Sequence, residues 1–314
     1  MKEDGCDMKI AVLGSGAMGC LYGGTLAESG CDVTLIDVWK EHVDAINSNG
    51  LHIEGLSGDR VIKDIKAVTD LSSLKNVDLL IVFVKATMTR EAMKKAAGLV
   101  GNNTVVLTLQ NGLGNVEKIG EVVGEDKVIA GITAHGSTML GPGHIKHAGT
   151  GDTNLGELDG SKTERLNQIA RVFEDAGFPV NISSNVLGLI WDKLMVNIGI
   201  NALGALTGLK NGQLLDYEET EELLESLVTE AWEVAEKKGI ELNRNPVEHT
   251  KEVAKLTAGN RCSMLQDVSR KRLTEIDVIN GAIAKDGKDL GIKTPVNGVV
   301  TNLIKIREKT YSED

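Results

Sequence analysis

The sequence predicts an α/β domain followed by an all-helical one, and three observations carry that expectation. Short β-branched runs alternate with helical patterns from Met8 to about residue 183. A glycine-rich turn, G-S-G-A-M-G, directly follows the first of these runs, and beyond Asn185 the strand signals vanish. A chain of 314 residues is long enough for two domains, each with its own core. The boundary is expected at residue 184, with a cleft between the two domains as the default site.

In order, K-I-A-V-L (9–13), V-T-L-I-D (33–37), L-L-I-V-F-V-K (79–85), T-V-V-L-T-L (104–109) and K-V-I-A-G-I-T (127–133) read as buried strands. The unbroken apolarity of the third favours a parallel sheet covered on both faces. A-M-G-C-L-Y-G-G-T-L-A-E-S-G supplies the first crossover. Residues 137–159 alternate and turn, as an antiparallel extension would. In the second half, a long amphipathic helix runs to a stop at Gly239. Further helices are expected over 246–257, 260–269, 274–290 and 295–310. No internal repeat or low-complexity segment is present.

Composition narrows the partners. Hydrophobic residues make up 41% and charged residues 25%, ordinary for a globular protein. The net charge of -11 argues against nucleic acid, whose footprint is a basic patch. A local anionic-substrate site remains compatible with it. No apolar run reaches the roughly 18 residues of a membrane helix, and residues 1–7 form a polar tail without a signal-peptide hydrophobic stretch. Cys6, Cys20, Cys31 and Cys262 are scattered with no C-x-x-C pair, so reduced thiols and a cytoplasmic protein are expected. The apolar helical half is compatible with a homodimer.

The glycine turn has a physical job. Gly14 permits a tight turn, Gly16 lets the backbone approach a pyrophosphate, and Gly19 allows close helix–strand packing. Together with Ser15, Ala17 and Met18, these residues open a helix whose N-terminus offers N–H groups and partial positive charge to phosphates. Asp37 closes the second strand 23 residues after Gly14, where a ribose-binding acid belongs. Residues 1–184 are thus expected to be an NAD(P)-binding Rossmann-type domain. A carboxylate at Asp37 accepts from ribose hydroxyls and repels a 2′-phosphate, so the sequence leans towards NADH over NADPH. Lys40, one turn on, is placed to offset part of that repulsion.

The helical half holds a stranger pattern. W-D-K-L-M-V-N-I-G-I-N-A-L-G-A-L-T-G (191–208) reads as an apolar helix interrupted at even intervals by Lys193, Asn197 and Asn201. Steps of four advance about 40° each, so the three share one stripe. A lone lysine would be read as snorkelling from a core helix, but two asparagines, poor helix formers, on the same stripe point to a polar site. Asn260 and Ser263, spaced i, i+3, are expected to share a face of the next unusual helix. Glu275 stands near another helix start, where a first-turn acid needs no function.

Seven motifs together resemble the ketopantoate reductase (2-dehydropantoate 2-reductase) family. They are G-S-G-A-M-G, F-V-K-A with Lys85, Q-N-G-L-G with Asn111, G-P-G-H-I-K-H-A-G-T-G, W-D-K-L-M-V-N with Lys193, and S-M-L-Q-D-V followed by T-E-I-D-V-I-N-G with Glu275. The resemblance spans roughly residues 8–307. It implies NAD(P)H-dependent reduction of a 2-keto acid, ketopantoate, to (R)-pantoate for pantothenate and coenzyme A synthesis, in residues 185–314 as the substrate-binding and catalytic domain. By motif it implies Lys193 as general acid and Glu275 as active-site glutamate, both catalytic. Asn197, Asn201 and Ser263 become substrate-binding positions, and Asn260 a polar position on the same helix. Asn111 lies beside nicotinamide and substrate, Lys85 stands at the cofactor rim, and Glu275 also borders the cofactor. Two departures stand out: Asp37 replaces the arginine that many relatives place after the second strand, and Cys262 replaces a small hydroxyl residue.

The chemistry suits these residue types. Hydride addition builds negative charge on a ketone oxygen, which an ammonium stabilises and protonates. Amides grip a hydroxyl or carboxylate without competing charge. His135, His144 and His147 suggest a metal, but they fall in a predicted turn without a carboxylate, and no metal is expected. The acid-rich run 218–225 reads as a solvated helix face, and Trp191 as a packing anchor. Alternatives are a reductase of another branched 2-keto acid on the same scaffold, and a non-catalytic dinucleotide-binding regulator.

Overall fold

The computed structural model describes residues 6–72 and 74–312, so the first five residues of the polar tail lie outside the described residues. The chain divides into two compact units: residues 1–110 with 115–186, and residues 111–114 with 187–314.

The first unit is built on an eight-stranded sheet. Its chain order is β1 (Lys9–Leu13), α1 (Ala17–Glu28), β2 (Asp32–Ile36), α2 (Lys40–Asn49), β3 (Leu51–Gly55), β4 (Arg60–Ile62), β5 (Lys66–Val68), β6 (Leu79–Val82), α3 (Thr89–Ala96), β7 (Val105–Thr108), α4 (Asn115–Val123) and β8 (Val128–Thr133). There follow β9 (Gly136–Gly141), β10 (His144–Gly149), β11 (Thr153–Glu157), α5 (Glu164–Asp175) and β12 (Val180–Ile182). The large sheet has the order β12-β11-β8-β7-β6-β1-β2-β5. All its neighbours pair in parallel except β11 with β8. Alternation along the strands sends Ile10, Val12, Leu79 and Ile81 to one core and Ala11, Leu13, Leu80 and Val82 to another, so the central strands are apolar throughout.

The antiparallel extension expected over 137–159 divides between two sheets. β11 extends the large sheet, but β9 and β10 join a separate four-stranded sheet, β4-β3-β10-β9, in which β10 pairs parallel with β3. Helix α1 lies between the sheets: a Cβ on Gly23 would meet Leu35, and one on Gly24 would meet Leu51 and Ile53. That position explains a helix buried on nearly every face from Gly19 to Ala27.

Cys6 and Cys31 form a disulfide, against the expectation of four reduced thiols. The reason lies in strand register. Lys9 of β1 pairs with Asp32 of β2, so the residues leading into these neighbouring strands lie side by side, with the two Cα atoms 4.8 Å apart. Cys20 and Cys262 are free and buried.

The second unit holds α6 (Val186–Thr207), α7 (Glu218–Lys237), α8 (Pro246–Leu256), α9 (Ser263–Ser269), α10 (Asn280–Leu290) and α11 (Pro295–Lys309). Helix α6 is 22 residues long and, against the expectation above, apolar enough by length and composition to cross a membrane. It is instead a largely buried helix, with 67% of its apolar window buried. Gly199 brings it against Leu224 and Val228 of α7 and Thr250 of α8. The Asn280 amide donates to the Ile198 carbonyl and to Asn297 Oδ1, tying α10 and α11 to it. Helix α7 ends at Lys237 and Gly239 follows at φ +73°. On its acid-rich start Glu218, Glu219 and Glu222 are exposed, while Glu221 and Glu225 hold Lys251. Trp191 is buried, as a packing anchor should be.

Candidate active site

In the first unit, the loop after β1 has the features of an anion cradle. Gly14 sits at φ +93°, and a Cβ there would lie 2.6 Å from the Val84 nitrogen. The N–H groups of Gly14 and Ser15 donate to the Ile36 carbonyl at 2.9 and 3.2 Å, fixing the loop to the end of β2. A Cβ on Gly19 would fall 2.1 Å from the Gly14 carbonyl oxygen, so only glycine lets α1 seat this closely. Gly16 differs: a Cβ there meets nothing within 4 Å. It is the N-cap of α1, with no side-chain cap and no acid in the first turn. The helix terminus at Ala17 and Met18 therefore presents its N–H groups and positive dipole end to a ligand. Ser15 Oγ is buried without a hydrogen-bond partner.

A neutral network supports this loop from behind. The Cys20 thiol donates to the Ser15 carbonyl at 3.1 Å, and its sulfur lies 3.3 Å from His42 Nε2. The Gly143 N–H in turn donates to His42 Nδ1 at 2.9 Å. Burial pushes the Cys20 thiol far up and the His42 imidazolium down, so both remain uncharged behind the glycine loop.

In front of the loop, a cavity of about 360 Å³ opens at the carboxyl ends of β1, β2 and β6. The β6-β1-β2 order makes this the switch point of the sheet, where such folds bind nucleotides. Gly14, Gly16, Asp37 and Lys85 all line it. Asp37 stands one residue beyond β2, half-buried, and its Oδ1 accepts from the Trp39 N–H at 3.0 Å. Lys85 is exposed beyond β6, which ends at Val82, three residues before the expected strand end. Lys40, the expected counter-charge to Asp37, is paired with Asp44.

In the second unit, α6 runs unbroken through Lys193, Asn197 and Asn201. Lys193 and Asn197 are half-buried and Asn201 is buried, so the stripe is accessible at one end and closed at the other. Trp191, Leu194, Met195 and Ile198 around Lys193 are all buried. Burial lowers the Lys193 ammonium from 10.5 to about 8, and the Glu275 carboxylate pulls the other way. Desolvation thus wins, and Lys193 is poised to give up its proton near physiological pH.

Glu275 is held by its neighbours. The Ile276 N–H donates to Thr274 Oγ1 at 3.2 Å, and the Val278 N–H donates to the Glu275 carbonyl at 3.1 Å. The helix expected from 274 is therefore a short 3-10 turn, Ile276–Val278, followed by α10. Asn111 joins the same unit from far upstream. The Leu113 N–H donates to the Val278 carbonyl at 3.0 Å, and Gly112 at φ +81° packs on Val278 so closely that a Cβ would lie 2.7 Å away. The loops carrying Asn111 and Glu275 thus meet at one residue.

Asn260 corrects the sequence expectation. It does not share a helix with Ser263, because α9 begins at Ser263 with Cys262 as its N-cap. Asn260 lies in the preceding loop, where its carbonyl accepts from the Asn211 N–H at 3.0 Å and its N–H donates to the Thr257 carbonyl at 2.8 Å. Ser263 is exposed at the first turn of α9, and the Cys262 thiol donates to the Asn201 carbonyl at 3.5 Å. The histidines also part from expectation. His144 and His147 lie on β10, where alternation separates them, and His135 lies in the loop between β8 and β9: His135 Nδ1 and His147 Nε2 are 3.2 Å apart with both imidazolium pKa values lowered by burial, while His144 faces elsewhere.

Some residues at these sites are not singled out as site residues by the sequence. Thr69, Phe83 and Val84 wall the cavity through long-range sheet contacts. Asp192, beside Lys193, is buried and accepts from the Asn243 amide at 2.7 Å. The W-D-K order alone does not tell a buried acid from an exposed one.

Known proteins match this chain over nearly its whole length. The family model "Ketopantoate reductase PanE/ApbA" matches residues 10–160, and its C-terminal counterpart matches residues 185–308. A 2-dehydropantoate 2-reductase from Halobacterium salinarum is 34% identical over 96% of this chain and 99% of its own. The crystal structure of a PanE/ApbA family ketopantoate reductase from Ralstonia eutropha superposes with a TM-score of 0.90 at 34% identity, covering 97% of this chain and 100% of that one. The ternary structure of D-mandelate dehydrogenase with NADH and anilino(oxo)acetate gives a TM-score of 0.89 at 31% identity, over 97% and 99% of the two chains. With both halves matched in order and nearly the full length covered, the chain belongs to the ketopantoate reductase family.

Proposed function

We propose that this protein is a 2-dehydropantoate 2-reductase, reducing ketopantoate to (R)-pantoate with NAD(P)H in the pathway to pantothenate and coenzyme A. The observation that carries the reading is the desolvated Lys193 beside Glu275, in a member of this family. The first unit is the cofactor domain. Ser15, Gly16, Ala17 and Met18 receive the pyrophosphate, Asp37 the ribose hydroxyls, and Lys85 the cofactor rim. When bound, the reduced nicotinamide supplies the hydride.

The remaining chemistry falls to the second unit. Lys193 donates its proton to the ketone oxygen as negative charge builds there, and is reprotonated from solvent after each turnover. Burial makes the ammonium a better acid, and Glu275 keeps it charged below about pH 8. Asn197 and Asn201 hold the polar groups of the substrate, Ser263 donates to its carboxylate, and Asn111 orients substrate against nicotinamide. Asn260 acts at the edge of this set by shaping the loop before α9.

Asp37 favours NADH, because its carboxylate accepts from the ribose hydroxyls and repels a 2′-phosphate. We place the reaction in the cytoplasm, on a free small-molecule 2-keto acid. A second reading, an NADH-linked reductase of a different 2-keto acid, is favoured by the likeness to D-mandelate dehydrogenase. Steady-state kcat/KM for ketopantoate and for the 2-keto acid of mandelate, each with NADH and NADPH, separates the readings. A ketopantoate preference supports the first, and its reversal supports the second.

A further inference from the structure

The small sheet carries a cluster of metal-ligating side chains on the face away from α1. In the parallel pair of β3 and β10, His144 stands opposite His52, Ile145 opposite Ile53 and Lys146 opposite Glu54. Ile53 and Ile145 are fully buried in the core, so alternation sends His52, Glu54 and His144 together to the other face, where they are half-buried. The two imidazoles stack at 4.0 Å with an interplanar angle of 7°. His144 Nε2 lies 3.1 Å from Glu54 Oε2, and His52 Nε2 lies 2.6 Å from Asp59 Oδ1 in the turn between β3 and β4. One ligand atom from each of His52, Glu54 and His144 falls within 4.8 Å of the others.

We propose that His52, Glu54 and His144 bind a divalent transition-metal ion of the zinc class, with the Asp59 carboxylate as fourth ligand. Two imidazole nitrogens and two carboxylates are a donor set for zinc, nickel or copper rather than for calcium or magnesium. Ligands about 2.0–2.1 Å from a tetrahedral zinc stand roughly 3.3 Å apart. The widest pair among His52, Glu54 and His144 therefore needs to close by at most about 1.5 Å, within the reach of side-chain rotation at half-buried positions, and the exposed Asp59 side chain, outside that cluster, swings in to complete the set. Lys146 Nζ lies 3.9 Å from Glu54 Oε1, so Oε2 faces the imidazole while the lysine weakens the site through its charge. The ion joins β3, β10 and the β3–β4 turn, and none of its ligands is among the residues given to cofactor and substrate.

Without a metal, the same atoms are two histidine–carboxylate contacts, and the experiment distinguishes the two. Full-length protein is stripped with EDTA, titrated calorimetrically with zinc chloride, and examined with Co²⁺ as a spectroscopic probe. We expect one saturable zinc site in the micromolar range. His52→Gln and His144→Gln should each weaken it at least about tenfold, and Glu54→Gln should weaken it less. The Co²⁺ spectrum should show d–d bands without sulfur-to-metal charge transfer, excluding Cys20 and Cys262 as ligands. Metal-free melting temperatures equal to wild type show that the variants fold. No saturable binding at micromolar zinc, a thiolate band, or undiminished binding in the H52Q/H144Q double variant would each overturn the proposal.

Discussion

Replacing Lys193 with methionine removes the ammonium while keeping most of the side-chain volume. General-acid assistance contributes about 10²–10⁴-fold, so kcat should fall at least about 100-fold, with the affinity for NADH nearly unchanged. The pH profile is the sharper readout. With the ammonium at about 8, wild-type reduction should run on a plateau at neutral pH and decline about tenfold per pH unit above 8. The reverse oxidation of pantoate needs the neutral amine and should rise over the same range. Stability moves the other way. The folded value lies below the ordinary 10.5, so the charged form is disfavoured in the fold. That penalty is complete below about pH 8 and vanishes above about 10.5. The displacement caps it at about 3.4 kcal/mol, and partial exposure of the side chain reduces it to about 2 kcal/mol. Lys193→Met should therefore melt higher than wild type at pH 7, and no higher at pH 11. The assay is nicotinamide absorbance with ketopantoate from pH 6 to 10, alongside thermal melts. A variant retaining more than a tenth of wild-type kcat, or a wild-type profile flat through pH 9.5, would refute the assignment.

Four further outcomes follow from the same geometry. Glu275→Gln removes the charge that holds the Lys193 proton, so the alkaline limb of the kcat profile should move to lower pH; an unmoved limb contradicts the pairing. Asp37→Asn should shift the NADH to NADPH ratio of kcat/KM by about tenfold towards NADPH, a change of about 1.4 kcal/mol, and an unchanged ratio removes Asp37 from cofactor selection. Gly16→Ala should keep the wild-type melting temperature while weakening cofactor affinity in a fluorescence titration, whereas Gly19→Ala should lower the melting temperature sharply, because its Cβ would strike the Gly14 carbonyl. Thiol titration of unfolded, unreduced protein should count two groups, Cys20 and Cys262, and reducing the bridge over its separation of 25 residues should cost up to about 3 kcal/mol in a denaturant melt. A count of four groups would show the bridge absent.

The central strands were legible because both faces of each are buried, leaving continuous apolar runs at β1, β6, β7 and β8. The strands β3, β4 and β5 were not, since exposed or half-buried positions interrupt their apolar residues, and β3 takes as partner a strand about ninety residues away. The stripe of Lys193, Asn197 and Asn201 could be read because steps of four on a helix are local geometry. The acidity of Lys193 could not, since it depends on burial by distant segments and on Glu275. Asn111 belongs to the second unit through the contact of Gly112 with Val278, which no local pattern encodes. The disulfide follows from the pairing of β1 with β2, a fact about register rather than about cysteine spacing. Asn260 was placed on a helix by periodicity, but α9 begins only after Cys262.

The most direct measurement follows NADH and NADPH oxidation by purified protein with ketopantoate, and identifies the product by chromatography. The account predicts stoichiometric (R)-pantoate, formed faster with NADH than with NADPH and at least about 100-fold more slowly by Lys193→Met. No oxidation with either cofactor, or oxidation only with a different 2-keto acid, would contradict it.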